Sequence, residues 1–232
     1  VFRLLTIRIV FAALFVGILG GYSSSISIAS GCPQYIGGWP YGPVSAVDAV
    51  GDLAVAGSGS VLQVIDVSDP TNPIVVGETD LPDIPFRVIL AGDYAYVATG
   101  RAGLKIVDVS TPSDPVIVGT LDTPDFARDL ALSGHIVFVA DQGGGLRVID
   151  VSSPSAPVEI AADETLRNSY CIAYSDGHVY VEDLIGLYVY DVSDPTAPDL
   201  KGSTTVSDPT IYAVKIDVVD GYAYVARYDS NP

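Results

Sequence analysis

The chain has 232 residues with 28 acidic and 11 basic side chains, a formal net charge of -17, and 49% hydrophobic residues. Such a surface repels phosphate backbones, which excludes nucleic acid as a partner class and disfavours loose docking on anionic lipid. The hydrophobic share is enough for a sizeable core, and 23 Gly with 16 Pro suit many short strands joined by tight turns rather than long helices.

Residues 1–31 read as an export signal. Arg3 and Arg8 form a short basic region, Ile9–Leu19 is an apolar run, and Gly20-Gly21 and a Ser-rich stretch follow. Without Arg3 and Arg8 the remainder carries 9 basic and 28 acidic residues, a charge of -19. The apolar run is shorter than the roughly 20 residues of a membrane span, although an uncleaved anchor extending from Leu4 is an alternative. Two endings are compatible with the sequence. Ser27-Ile28-Ala29 fits an ordinary peptidase site, and Ala29-Ser30-Gly31-Cys32 resembles a lipobox that would make Cys32 a lipidated first residue. The expected location is extracytoplasmic: secreted, periplasmic or at the cell surface, with membrane attachment only through such an anchor or lipidated Cys32. The chain begins with Val and holds no Met, so it reads either as starting from an alternative codon or as part of a longer sequence.

After a linker, residues 32–44, the segment 45–232 repeats itself. Gly51–Gly77, Gly92–Gly119, Gly134–Ala161 and Gly177–Gly202 align, and a fifth copy starts at Gly221. The aspartates of the recurring Val-Ile-Asp-Val-Ser phrase stand at 66, 108, 150 and 191, spaced by 42, 42 and 41 residues. Four strands are expected per unit; in the third these are Ala127–Leu132, Ile136–Ala140, Leu146–Val151 and Val158–Ala162. Paired prolines, as in Ser152–Pro157, break the third strand from the fourth. The strands are apolar on both faces, so each sheet is expected to lie between two others. The predicted fold class is all-β, a β-propeller of four-stranded antiparallel blades, with four full blades and a truncated fifth. The whole protein is expected to continue to six to eight blades.

The phrase Leu-Gln-Val-Ile-Asp (62–66), Leu-Lys-Ile-Val-Asp (104–108), Leu-Arg-Val-Ile-Asp (146–150) and Leu-Tyr-Val-Tyr-Asp (187–191) resembles the LVIVD repeat of bacterial and archaeal surface proteins. That resemblance covers residues 45–228 and implies an exported propeller without an assigned activity. WD40 repeats have a similar length, but no Trp-Asp ends any unit, and Trp39 lies before the repeats.

Asp66, Asp108, Asp150 and Asp191 precede Val-Ser turns, where a carboxylate can accept from turn amides; a structural role is expected over a metal-binding one. His135 and His178 share a position filled by Asp93 and Tyr222 elsewhere, which argues against catalysis. Gly143-Gly144-Gly145 precedes no helix and is not a phosphate cradle. Asp83, Arg87, Arg101, Asp125, Arg128, Asp141, Gln142, Tyr170, Glu182 and Asp183 fall in loops expected at the channel rim. Of these Arg87, Arg101, Arg128, Asp141, Gln142, Tyr170, Glu182 and Asp183 are the ligand-binding candidates. Arg87 and Arg128 are expected at matching positions, holding the ring together or binding an anion. A Cys32–Cys171 disulfide is permitted in an oxidising compartment. No catalytic motif and no Cys/His metal spacing is present.

Two functions compete on these residues. One is a non-catalytic surface scaffold for protein or glycan. The other is an exported hydrolase or lyase whose rim carboxylates hold a divalent ion, calcium being the candidate cofactor.

Overall fold

The structure, a computed structural model, describes residues 44–166, 168–205 and 211–229. The export signal, the linker as far as residue 43, Cys32 and Trp39 lie outside the described residues. Among the described residues every element is a strand. The first unit holds β1 (Ala46–Val50), β2 (Leu53–Ser58), β3 (Val61–Asp66) and β4 (Ile74–Asp80). The second holds β5 (Arg87–Ala91), β6 (Tyr94–Ala98), β7 (Leu104–Asp108) and β8 (Val116–Leu121). The third holds β9 (Asp129–Ser133), β10 (Ile136–Ala140), β11 (Leu146–Asp150) and β12 (Val158–Asp163). The fourth holds β13 (Cys171–Ser175), β14 (His178–Glu182), β15 (Gly186–Asp191) and β16 (Asp199–Thr205); β17 (Ile211–Val219) and β18 (Tyr222–Asp229) follow as a hairpin. Each full unit is one antiparallel sheet whose strands pair in chain order.

Local chemistry sets these boundaries. Asp176-Gly177 and Asp220-Gly221 place both residues at positive φ, which a two-residue hairpin of type I′ requires. In all four sheets the pairing of third and fourth strands slips at one place, between Val64 and Ile65, Ile106 and Val107, Val148 and Ile149, and Val189 and Tyr190. The extra residue bends the outer strand at the same point of every unit. The first strand of the third unit starts at Asp129, two residues later than the sequence suggests, because Ala127 is engaged in an antiparallel bridge to Gly100 of the unit before.

Alternate side chains of each strand point to opposite neighbours, which explains why both faces are apolar. In the second unit Ala95, Val97 and Val107 pack toward the first unit, with Val55, Leu62 and Val64. Tyr96, Leu104 and Ile106 pack the other way, with Leu130, Val139, Ile149 and Val151. The next seam joins Phe138, Leu146 and Val148 to Val179, Val181, Tyr190 and Val192. Full burial of one such aliphatic side chain stabilises by about 1.5–3 kcal/mol.

The first two seams are shut by the turn between third and fourth strands of the later unit; at the third the matching residue is Ala161. A Cβ on Gly77 would collide with the Pro112 carbonyl, and one on Gly119 with the Pro154 carbonyl. Gly202 holds the equivalent place in the fourth unit, opposite Val189 as Gly77 is opposite Val64, and no described residue lies within 4 Å of its Cβ direction. Gly119→Val is therefore expected to cost about 3 kcal/mol through overpacking, whereas Gly202→Val should stay within about 0.5 kcal/mol of the parent. Urea unfolding of the two variants beside the parent checks the contrast.

Candidate functional site

The first strands β5, β9, β13 and β17 lie side by side. The loops leading into them meet the loops between second and third strands at one end of the molecule. There Gly100 bridges Ala127, and Gln142 bridges Ser169, each pair joining consecutive units. Gly100 and Gln142 share positive φ values of 54° and 39°. Gln142 is thus held by its backbone conformation and by hydrogen bonds that the Asn168 and Ser169 amides donate to its carbonyl oxygen, 3.1 Å each. Asp83 accepts from the Arg101 amide at 3.2 Å and Asp125 from the Gly143 amide at 2.9 Å, the same clasp one unit apart.

At the centre of this end stands Asp129. Its Oδ1 accepts from the Leu130 amide at 2.9 Å and lies 3.4 Å from Arg87 Nε; its Oδ2 accepts from the Ile172 amide at 3.1 Å and lies 3.6 Å from Lys215 Nζ. One buried carboxylate thereby touches the second, third and fourth units and the last hairpin. Burial pushes its acid strength down, raising the pKa, against the pull of Lys215, the Ile172 amide and Arg87.

Strand register corrects one expectation about the arginines. Arg87 opposes Ala98, Asp129 opposes Ala140 and Cys171 opposes Glu182, so the match of Arg87 is Asp129, not Arg128. Arg128 corresponds to Phe86 and Tyr170: the three amides donate to Ala98, Ala140 and Glu182 carbonyl oxygens at 2.8, 2.9 and 2.9 Å. Its guanidinium carbon lies 5.8 Å from the Phe86 ring centroid and 5.0 Å from that of Tyr170. The cation is sandwiched between rings of the units before and after it, a contact worth about 0.5–2 kcal/mol per ring.

The other candidates divide by burial. Asp141 is fully buried, accepts from Thr123 Oγ1 at 2.6 Å and from the Asp125 amide at 3.0 Å, and lies 4.0 Å from Arg147 Nε. Gly143-Gly144-Gly145 is the turn wrapped around it; a Cβ on Gly144 would strike the Asp141 carboxylate. Asp183 Oδ1 accepts from the amides of Ile185 and Gly186 at 2.7 and 2.9 Å, closing the β14–β15 turn. Glu182 ends β14, is 2% exposed, pairs through Oε1 with Arg227, and leaves Oε2 buried with no hydrogen-bond partner. Burial raises its pKa to about 7, opposed by Arg227. Facing it, Cys171 is a buried free thiol pushed up to about 12, first by burial and then by the charges of Asp129 and Glu182. Such a thiol is inert as a nucleophile. Arg101 alone of the eight is exposed.

Three residues at this end were not singled out in the sequence. Asp129 is the one charge in β9, and Lys215 shares β17 with Asp217. Arg147, nearly buried, reaches Glu159 at 3.5 Å and Glu164 at 3.2 Å, as Lys105 one unit earlier reaches Asp122 at 3.4 Å. A polar residue recurring beside the Leu of the third strand, at Gln63, Lys105 and Arg147, was the available signal.

Asp66, Asp108, Asp150 and Asp191 each accept from the amide two residues on, at 2.9, 2.9, 2.8 and 3.0 Å. The serine donors hold all four below the usual carboxylate range, Asp191 at about 2. His135 is exposed in a hairpin turn, and His178 Nδ1 lies 2.9 Å from the Asp176 carbonyl oxygen. Among the described residues no three His, Cys, Asp or Glu side chains are placed to hold a metal ion.

The LVIVD repeat model matches residues 42–80, 86–123, 126–165 and 167–206, more than half of the chain. The protein belongs to the LVIVD repeat family. Among solved structures, the computationally designed Ika8 protein is similar, with a TM-score of 0.63 at 12% identity. The match covers 78% of this chain and 54% of that one, so this chain spans about half of the designed protein's length. At that identity the likeness is one of fold. No curated protein matches the chain.

Removing the hub should be costly. Asp129→Ala strands Arg87, Lys215 and two amides, and is expected to lower stability by about 3 kcal/mol, measured by urea unfolding. Glu182 gives a pH signature. Its folded pKa, about 7, lies above the unfolded value near 4.5, so the folded state holds the proton more tightly. Its contribution is fully present below about 4.5 and lost as pH rises toward 7. Melting temperatures between pH 4.5 and 7.5 should show the parent losing stability relative to Glu182→Gln across that window.

Proposed function

We propose that the repeats are blades of a β-propeller, and that the protein works outside the cytoplasm as a non-catalytic scaffold for a protein or glycan partner. The propeller reading is supported by the contact between Lys215 and Asp129, which stand two units apart. Sheets pack about 10 Å from face to face, so a straight stack would separate these strands by about 20 Å. The inner strands must converge as the outer ones fan apart. Arg3, Arg8 and the apolar run after them support export.

The observation that carries the scaffold reading is the commitment of the charged groups near the channel mouth to one another. Arg87 and Lys215 share Asp129 and Arg227 holds Glu182, which ties unit to unit, while Arg147 binds Glu159 and Glu164 of its own unit. Recognition is then left to exposed groups on the same end, among them Ile84, Arg101 and Ile185. Their mixed charge and apolar character suits a protein or glycan surface, and the acidic whole repels nucleic acid.

The test is the triple variant Ile84→Ala, Arg101→Ala, Ile185→Ala, assayed on immobilised cell-envelope proteins and glycans. Partner binding should fall at least tenfold with an unchanged melting temperature. Undiminished binding would remove this end as the interaction surface.

A further inference from the structure

At the loop-bearing end one half-buried cation has no counter-ion among the described residues. Arg87, Lys105, Arg147, Lys215 and Arg227 each pair with a carboxylate. Arg128 pairs with none, and its guanidinium makes no hydrogen bond among the described residues. Its central carbon is held over the Phe86 and Tyr170 rings, which attract the charge but supply no oxygen to its five N–H donors. Phe126 meets Phe86 edge to face at 4.8 Å, so one wall of the sandwich is itself braced. A guanidinium fixed in this way has lost much of its side-chain freedom before any ligand arrives, and its planar fork matches a carboxylate.

Two more polar side chains beside it are unengaged. The Gly100–Ala127 bridge leads directly into Arg128, and the Gln142–Ser169 bridge into Tyr170. Gln142 takes the place that Gly100 has one unit earlier, at a φ of 39°, and Asn168 stands across from it at a φ of 74°. Left-handed backbone is strained for glutamine, whereas glycine adopts it freely. Neither side-chain amide makes a hydrogen bond among the described residues. The strain at Gln142 is thus not repaid by any contact of its own side chain. Carboxamides both donate and accept, as sugar hydroxyls do. Net charge narrows the ligand further. At -17 the protein repels polyanions, and an acidic polypeptide segment meets that repulsion at each of its carboxylates. A neutral, hydroxyl-rich molecule with one carboxylate largely escapes it.

We propose that Arg128, Gln142 and Asn168 form a binding site for a glycan that carries a single uronic acid unit. This rests on the scaffold reading above and gives its partner a chemistry. The carboxylate accepts from the Arg128 fork, and neighbouring hydroxyls exchange hydrogen bonds with the Gln142 and Asn168 amides. Phe86 and Tyr170 act through Arg128, by setting where its fork lies.

The probe is a trisaccharide of two neutral sugars and a terminal glucuronate, titrated into the full chain by calorimetry. Its methyl ester and a blocked peptide with one glutamate are titrated beside it. Saturable one-to-one binding of the acid is expected, with the ester and the peptide about tenfold weaker or worse. Arg128→Lys keeps a charge between the rings and loses the fork, so it should melt close to the parent and bind the acid about tenfold more weakly. Gln142→Gly relieves the backbone, so its melting temperature should match or exceed the parent's while its affinity falls. A side chain that served only the fold would not separate affinity from stability in this way. No binding of the acid, equal binding of the ester or the peptide, or an affinity that neither substitution moves would each overturn the proposal. Capture of cell-envelope proteins and glycans by the same chain is measured separately and decides the scaffold reading, so either can fail alone.

Discussion

The structure depends on one constraint: the middle two strands of each full sheet must bury both of their faces. A sheet of four short strands has too little apolar surface to fold alone, so each unit is stable only between neighbours. Alternation distributes the load. Val97 and Tyr96 stand next to each other in β6 yet belong to different cores. The glycines under the Pro112 and Pro154 turns follow from the same need, because each carbonyl lies where a Cβ would stand; the third unit carries Ala161 at the matching place. The recurring phrase in the sequence is therefore a joint description: its Leu and Val fill one seam, its Val-Ser-x-Pro shuts the other.

Polar groups inside this arrangement are placed where units meet. Asp129, Asp141, Arg147 and Glu182 are buried, and a buried charge left alone would cost several kcal/mol. Each is met by ions or amides of an adjoining loop or strand. Asp129 and Glu182 remain protonated more readily than free carboxylates, which records that their partners do not fully replace water. Arg128 is handled differently, between two aromatic faces that accept a planar cation without neutralising it.

Much of this was legible in the sequence. Fourfold recurrence gave the strands of the third unit almost to the residue, since prolines and Gly turns stop a strand wherever they stand. The interior of the loop-bearing end was harder. Arg87 and Arg128 look alike in a linear alignment, but which residue opposes Ala98 or Ala140 is decided by backbone pairing, and that places Asp129 opposite Ala140. Nothing near Asp129 in the chain names Lys215 as its partner, 86 positions later; only packing in space brings them together. Glu182 looked like a loop residue because the sequence between β14 and β15 is short, and the strand instead runs through it.

The reach of Lys215 to Asp129 also bears on how the protein comes apart. Repeat proteins usually couple each unit to its nearest neighbours, so that ends fray one unit at a time. Here a side chain of the last hairpin is anchored to the third unit, past the fourth. Peeling the hairpin away must also uncover a carboxylate in the middle of the array, and the free energy of that loss is shared by three units. A pull on the hairpin is thereby felt two units away, at Asp129.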